Sequence, residues 1–460
     1  MFTFKRRLVD EIFRAYDIRG LVDKHLFADD YYSIAYAFGL KVKATYEDKV
    51  VVARDVRPSS KPFSDAVTKG LHAAGLGVID LGEVPTPVLN YATKSLTTAG
   101  LMITGSHNPK SYNGLKMILN GTVPSSEVIQ SIKEDLLHIP APVDASHQYQ
   151  AFDIVPQYIA EMQKRIPSKQ RFKVVVDAGN GVGGLIAPHL YEALNMEVIP
   201  LYCEPDGDFP NHHPNPGDPK NLQDLIRAVK THQADIGLAF DGDGDRLGVI
   251  TSSGRIIWPD ELLLLMTYYL TQLNHPAKVV YDVKCEDYLA ELMYQWHATP
   301  MMWKTGHSFI RNKVQSEGAD IGGEMSGHLF LPYFWYDFDD AFAAGAVCLK
   351  ILSEADKTLD EMVTIIPERF NTPEIILSVP EEKKFTIVKS LQALQFEGGE
   401  VDCIDGLRVR FSDGWFLVRA SNTTSALTIR SSATTQEKLN ILNQRIQAAL
   451  KTVYPEIKFN

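Results

Sequence analysis

The sequence predicts three related mixed α/β domains followed by an α+β domain, on three observations. Three β-branched runs, at residues 50–55, 174–177 and 279–282, each close on an Asp and lead into a helical pattern. Each is followed by an apolar run that stops at a Gly-rich polar loop: AGLMITGSHNP at 99–109, ADIGLAFDGDGDR at 234–246 and ADIGGEMSGH at 319–328, with the tetrapeptide ADIG recurring. Continuous apolar strands alternating with helices mark α/β layers, in which ligands gather at strand ends. After Pro367 the texture changes: strands expected at 372–380, 401–411 and 415–420 are mixed with helices at 381–394 and 436–453. The expected domains are 1–152, 153–255, 256–367 and 368–460.

A chain of 460 residues exceeds what one core serves, and 45% apolar with 22% charged residues describes a globular protein. The net charge of −11, from 46 basic and 57 acidic residues, excludes a basic nucleic-acid-binding face. It fits an acidic cytoplasmic enzyme that needs a local cluster of Arg and Lys for any anionic ligand. Lys5, Arg6 and Arg7 are followed by no signal-peptide core, and the apolar run 262–270 is far short of a membrane span; it reads as a buried helix face. Cys203, Cys285, Cys348 and Cys403 lie too far apart for a disulfide framework or a zinc site and read as buried thiols.

The first polar loop, Thr104 to Pro109, sets Ser106 on a Gly/Asn/Pro turn at a strand end, which predicts an exposed serine. Asn108 replaces the second glycine of a nucleophile elbow, so a hydrolase serine is disfavoured. His107 adjoins it, and neighbours in extended chain point apart, so it is not expected to serve Ser106 as base. Lys116 is placed to fold back over the loop. The second loop is the strongest motif. Asp241, Asp243 and Asp245 alternate with glycines and converge, and three crowded carboxylates demand a hard cation such as Mg²⁺. An EF-hand would need Gly and Glu where Arg246 and Ser252 stand. Arg246 beside a metal suits a phosphoryl group.

In the third loop Glu324, Ser326 and His328 share a face if the backbone is extended, and they suit sugar hydroxyls. Lys284 ends the third β-branched unit, and residues 304–307 add a lysine and an imidazole; His307 or Lys116 would carry protons. In the last domain RASNTT (419–424) packs one guanidinium, three hydroxyls and an amide between strands, a phosphate cradle.

These loops, with FRAYDIRG at 13–20, stand in an order that resembles the α-D-phosphohexomutase superfamily, on its bacterial phosphomannomutase/phosphoglucomutase branch, over essentially the whole chain. The resemblance implies the four domains arranged around a central active-site cleft. It implies that Ser106 is phosphorylated at rest and that its phosphoserine oxygen joins Asp241, Asp243 and Asp245 on one Mg²⁺ per chain. By the same carry-over Glu324 and Ser326 recognise sugar hydroxyls and His328 completes that loop. Arg419, Ser421, Asn422 and Thr423 grip the non-reacting phosphate, and Tyr16, Arg19, Lys284, Thr305, Gly306 and His307 line the cleft. One departure is Ser425, where the family pattern places proline. The implied reaction moves a phosphoryl group between the 1- and 6-positions of mannose or glucose through a hexose 1,6-bisphosphate, in a monomer with hexose phosphates as its partners. Competing readings are a phosphoglucosamine mutase, against which Met325 speaks where those enzymes carry Gln, a metal-dependent sugar phosphatase, and a non-catalytic sugar-phosphate sensor.

Overall fold

The computed structural model describes residues 12–14, 17–136, 147–421 and 424–459, and they divide into two compact units. The first comprises the chain up to Trp258 together with Ser326–Asp360; the second comprises Pro259–Met325 and the residues from Glu361 onward.

The first unit holds two sheets. One contains β1 (Ile18–Leu21), β2 (Lys49–Arg54), β3 (Gly77–Glu83), β4 (Gly100–Ile103), β5 (Tyr112–Ile118) and β6 (Tyr149–Ala151), in the order β1-β5-β4-β2-β3-β6. The other contains β7 (Lys173–Asp177), β8 (Glu197–Leu201), β9 (Ile236–Phe240), β10 (Leu247–Thr251) and β11 (Ile256–Ile257), in the order β11-β10-β9-β7-β8. The second unit carries a parallel trio, β12 (Lys278–Asp282), β13 (Thr299–Trp303) and β14 (Ile321–Gly323), with β12 in the middle. The short β15 (Leu329–Phe330) returns to the first unit. An antiparallel sheet follows: β16 (Phe370–Asn371), β17 (Ile375–Ser378), β18 (Glu400–Asp402), β19 (Leu407–Phe411), β20 (Gly414–Ala420) and β21 (Ala426–Ala433).

The three repeats are therefore real in space. In each, the β-branched run is the middle strand of a parallel trio: β2 between β3 and β4, β7 between β8 and β9, β12 between β13 and β14. The three polar loops leave the equivalent strands β4, β9 and β14 at their C-terminal ends, where ligands collect in parallel sheets. Strands β2, β7 and β12 are buried along almost their whole length, which is why they read as continuous apolar runs.

The recurring ADIG has a physical cause. Asp235 clasps the start of β7, its N–H donating to the Lys173 carbonyl (2.9 Å) while its Oδ2 accepts the Lys173 N–H (2.7 Å). Asp320 does the same to Lys278 at the start of β12, at 2.9 and 2.8 Å. The glycine two residues on lets the preceding helix close on the strand: a Cβ at Gly237 would sit 2.7 Å from Val229 Cγ2, and one at Gly322 2.5 Å from Val314 Cγ2. Gly100 repeats the device against Thr93, at 2.8 Å.

In the last domain, helices Glu381–Gln392 and Gln436–Val453 cover one face of the antiparallel sheet. Alternation along β20 sends Phe416, Val418 and Ala420 into that core, whereas Trp415 and Leu417 pack with Val283. Several expectations are corrected. Residues 401–411 break into β18 and β19 around a turn instead of running as one strand. The apolar run 262–270 belongs to the helix Pro259–Gln272, in which every residue from Asp260 to Thr267 is buried, so it is engulfed and not merely faced. Cys403 is exposed and Cys203 half-buried; only Cys285 and Cys348 are buried thiols. Among the described residues no helix is long and apolar enough to cross a membrane.

Gly322→Ala should cost about 1–3 kcal/mol in urea denaturation through overpacking. The double variant with Val314→Ala should lose less than the sum of the two single changes.

Candidate active site

Ser106 lies in the first polar loop with φ +48, a left-handed backbone that a serine adopts only when its surroundings impose it. Its N–H donates to Thr104 Oγ1 (2.8 Å), and its Oγ donates to Asp241 Oδ2 (3.1 Å). The expected exposure is wrong: Ser106 is 2% exposed. The Asp loop packs backbone-to-backbone against it, so that a Cβ at Gly242 would sit 2.5 Å from the Ser106 carbonyl oxygen. The loop is not extended either, and for that reason His107 Nδ1 does reach Ser106 Oγ, at 3.1 Å. Burial first, then the charges of Arg246 and Arg19, push the His107 imidazole well down.

The three carboxylates of Asp241, Asp243 and Asp245 converge as expected, each fully buried, with ligand oxygens within 4.8 Å of one another. Asp241 Oδ1 accepts the backbone N–H groups of Asp245 and Arg246 (3.1 and 3.2 Å), which curls the loop. Gly244, at φ +74, makes the turn. Lys116, reaching in from β5, sets its ammonium 2.6 Å from Asp243 Oδ2 and against Asp245 Oδ2. Burial alone would push this lysine down; Asp243, Asp245, Asp241 and Asp339 outweigh it and drive it up. Burial and its two carboxylate neighbours raise Asp241 strongly, whereas Asp245, despite its own burial, is held down by Lys116 and His328. Asp243 Oδ1 and Asp245 Oδ1 accept no hydrogen bond among the described residues. An all-oxygen set of buried carboxylates with open lone pairs fits a hard divalent cation.

His328 joins this cluster, its Nε2 3.4 Å from Asp245 Oδ1 and 3.3 Å from Arg246 Nε. The third loop turns sharply at Gly327 (φ +104) instead of running extended, and Ser326 Oγ meets His328 Nδ1 at 2.9 Å. Arg19, on the edge strand β1, donates to Asp17 Oδ2 at 2.7 Å.

A second constellation lies within the second unit. Asp282, at the end of β12, accepts from Thr305 Oγ1 (2.9 Å) and the Met325 N–H (3.2 Å). Gly306, at φ +136, opens the helix His307–Glu317 and donates its N–H to Glu324 Oε1 (2.5 Å). Lys284 is buried and pairs with Glu374 Oε2 at 3.3 Å; desolvation works against its charge, but Glu374, Asp282 and Glu324 hold its ammonium up. Asp405 accepts both the Thr305 N–H and Arg419 Nε, each at 3.0 Å. Buried Arg419 Nη2 has no partner among the described residues, which fits a guanidinium aimed at an anion. Ser421 Oγ accepts from Thr424 N and Oγ1, and Ser425 Oγ donates to Glu381 Oε2 (2.8 Å), which ties down the loop where a proline was expected. Tyr16, Asn422 and Thr423 lie outside the described residues.

Comparison with known proteins decides what these clusters belong to. Family models of phosphoglucomutase/phosphomannomutase domains I, II, III and the C-terminal domain match residues 10–141, 156–254, 258–370 and 374–449. The chain belongs to the phosphoglucomutase/phosphomannomutase family. A Pseudomonas aeruginosa phosphomannomutase/phosphoglucomutase is 45% identical over 446 residues, 96% of each chain. A Neisseria meningitidis phosphoglucomutase is 42% identical over 449 residues, 96% of this chain and 97% of its own. A crystal structure of a Burkholderia thailandensis phosphoglucomutase/phosphomannomutase family protein superposes with a TM-score of 0.92 at 41% identity, covering 98% of this chain and 99% of that one. The protein is accordingly an isomerase of the phosphohexomutase kind, with hexose phosphates as its expected substrate class and a metal-dependent chemistry for which the carboxylate triad is the candidate seat.

Sequence reasoning missed several residues that build this phosphohexomutase site. Thr86 buttresses the triad, its Oγ1 donating to Asp243 Oδ2 (2.6 Å). Glu374 and Asp405 partner Lys284 and Arg419, yet nothing in their local sequence marks them. His212 pairs with Asp177 at 3.0 Å, and the adjoining Asp208 reaches Lys110 of the serine loop at 3.1 Å. The Asp177 carboxylate closing a β-branched run was a signal that was available.

The His212–Asp177 pair makes stability depend on pH. Burial by itself lowers the His212 imidazole, but the hydrogen bond and charge of Asp177 outweigh it and raise it above its ordinary 6.5; His213 and the Tyr202 ring also face it. A folded-state value above the unfolded one gives stabilisation that is full below the ordinary value and fades as pH rises through the raised one. The stability difference between wild type and His212→Gln, read by chemical denaturation, should be largest below about pH 6.5 and shrink as pH rises above it.

Proposed function

We propose that this enzyme interconverts the 1- and 6-phosphates of mannose and glucose, with Ser106 as phosphoryl carrier. The observation that carries the reading is Ser106 Oγ at 3.1 Å from Asp241 Oδ2, a nucleophilic oxygen at the rim of a buried carboxylate triad. In this reading Asp241, Asp243, Asp245 and the phosphoserine oxygen hold one Mg²⁺. The ion, when bound, supplies charge neutralisation for the transferring phosphoryl oxygens.

Phosphoserine 106 gives its phosphoryl group to O6 or O1 of a hexose monophosphate: the Ser106 Oγ–P bond breaks and the sugar O–P bond forms. Of the two candidates for the hydroxyl proton, Lys116 and His307, the hold of Asp243 and Asp245 on the Lys116 ammonium supports His307 as the acceptor and Lys116 as a source of charge. Arg246, placed between His328 and the triad, neutralises charge on the phosphoryl group in flight. The hexose 1,6-bisphosphate turns over and returns its other phosphate to Ser106. Glu324, Ser326 and His328 recognise sugar hydroxyls, and Arg419, Ser421, Asn422 and Thr423 hold the resting phosphate. Tyr16, Arg19, Lys284, Thr305 and Gly306 complete the binding surface. A cationic lining is what an anionic substrate requires in a chain of net charge −11. The domain limits near 152, 255 and 367, a monomeric state and a cytoplasmic location belong to the same reading.

Intact mass with peptide mapping tests it. Wild type should carry one phosphate on Ser106, and Ser106→Ala should lose both the phosphate and the isomerisation of mannose and glucose 1-phosphates. A Ser106→Ala enzyme that still releases phosphate from the sugar would make it a hydrolase instead. Chelation with EDTA should abolish turnover and added Mg²⁺ should restore it; activity untouched by exhaustive chelation would remove the metal from the reading.

A further inference from the structure

We propose that Arg57 is the positioning residue that aims Ser106 at the carboxylate triad. Arg57 lies three residues beyond β2, remote from the motifs that marked the site, and its side chain is fully buried. A guanidinium has five N–H donors in a planar fork. All five are used here. Nε donates to Asp55 Oδ2 (3.1 Å), Nη1 to the carbonyls of Pro109 (2.8 Å) and Tyr112 (3.1 Å), and Nη2 to those of Ser106 (2.8 Å) and Asn108 (2.7 Å). Three carbonyls of the serine loop and that of Tyr112, where β5 begins, thus converge on one planar cation.

Asp55 takes the complementary groups. Its carboxylate accepts from Thr104 Oγ1 (2.8 Å), the Gly105 N–H (3.0 Å), Ser60 Oγ and the Arg57 N–H. The donors at 104–105 are fixed by the anion and the acceptors at 106–112 by the cation, so the loop is held by opposite charges at its two ends. Between them the chain crosses the guanidinium closely: a Cβ on Gly105 would lie 2.4 Å from Arg57 Nε and 2.5 Å from Cζ. The next residue is Ser106, whose left-handed φ of +48 brings its Oγ to Asp241 while its carbonyl is pinned by Arg57.

On its other side the guanidinium carbon lies 5.1 Å from the Phe209 ring, and Gly207 packs on the Arg57 backbone. A buried ion pair is retained at little net gain in stability unless every donor is satisfied. Here every donor is spent on the conformation of one loop. Lysine, with three tetrahedral donors, cannot span the same four carbonyls. Arg57 touches the carbonyl of Ser106 and not its Oγ, so its effect reaches the reaction only through the position of that serine.

The inference rests on Ser106 being the phosphoryl carrier, and the experiment separates the two. Arg57→Lys and Gly105→Ala, the second crowding the guanidinium without removing a bond, are compared with wild type and Ser106→Ala. The measurements are melting temperature, kcat and KM for mannose and glucose 1-phosphates, and the lifetime of phosphate on Ser106 by intact mass. A displacement of the order of 1 Å costs roughly 100-fold in rate. The expected result is therefore a kcat loss of about that size in both variants with KM within about twofold, and a shortened phosphoserine lifetime. If Arg57→Lys does not fold, Gly105→Ala decides alone. A folded variant whose kcat stays within about threefold of wild type, or whose losses in kcat and KM merely follow its melting temperature, overturns the assignment. An active Ser106→Ala strikes the carrier reading itself, whatever Arg57 does.

Discussion

Three carboxylates buried within 4.8 Å of one another are the constraint around which the first unit is organised. Like charges out of water are costly, and the protein answers with groups drawn from far along the chain. Lys116 comes from β5, Thr86 from the start of a helix, Arg246 from the loop itself and His328 from the third repeat. Each also fixes a neighbouring loop, so the electrostatic need of the triad draws the serine loop, the Asp loop and the third loop together. The two carboxylate oxygens left without a hydrogen bond among the described residues leave the triad able to hold a cation.

The second unit solves a different problem, that of keeping cations charged out of water. Its method is to bury each cation beside carboxylates: Lys284 pairs with Glu374, with Asp282 and Glu324 adding to its field, and Arg419 pairs with Asp405. Behind them, Trp415 sits under Arg408 (4.1 Å) and donates its Nε1–H to Glu286 (3.0 Å), while Arg408 and Arg430 donate to the carbonyls of Val283 and Lys284. The strand-end segment that carries Lys284 is thereby fixed by the antiparallel sheet. Because side chains alternate along β20, Arg419 emerges on the same face as Trp415 and Leu417, and its guanidinium takes its direction from the sheet.

The three-fold repeat and its loops were legible in the sequence because their causes are local. β-Branched runs buried on both faces must be apolar throughout, and a loop with alternating aspartates and glycines has few uses other than holding a cation. The ADIG tetrapeptide was visible as a repetition before its reason was: an Asp that clasps the neighbouring strand and a Gly that lets a helix close on it. Local reading also failed in identifiable ways. It treated the serine loop as exposed and extended, since nothing nearby in sequence announces that another loop covers it or that Ser106 is held at positive φ. It noted Asp55 only as the end of a β-branched run and left Arg57, Thr86, Asp405 and Glu374 unremarked, because such a residue acquires a role only from partners dozens of residues away.

By itself, then, the sequence determined the kind of chemistry: a serine loop, a trio of aspartates, the GEMSGH loop and the RASNTT loop, in the order of one enzyme family. Their identity is written in side-chain types, and those survive any uncertainty in geometry. Only the tertiary structure decided how they work together. It buried Ser106, brought His107 within 3.1 Å of it, set His328 against the triad and revealed the Asp55–Arg57 frame beneath the loop. The physical reason is that burial and charge pairing are long-range properties of packing, and no spacing within one segment encodes them.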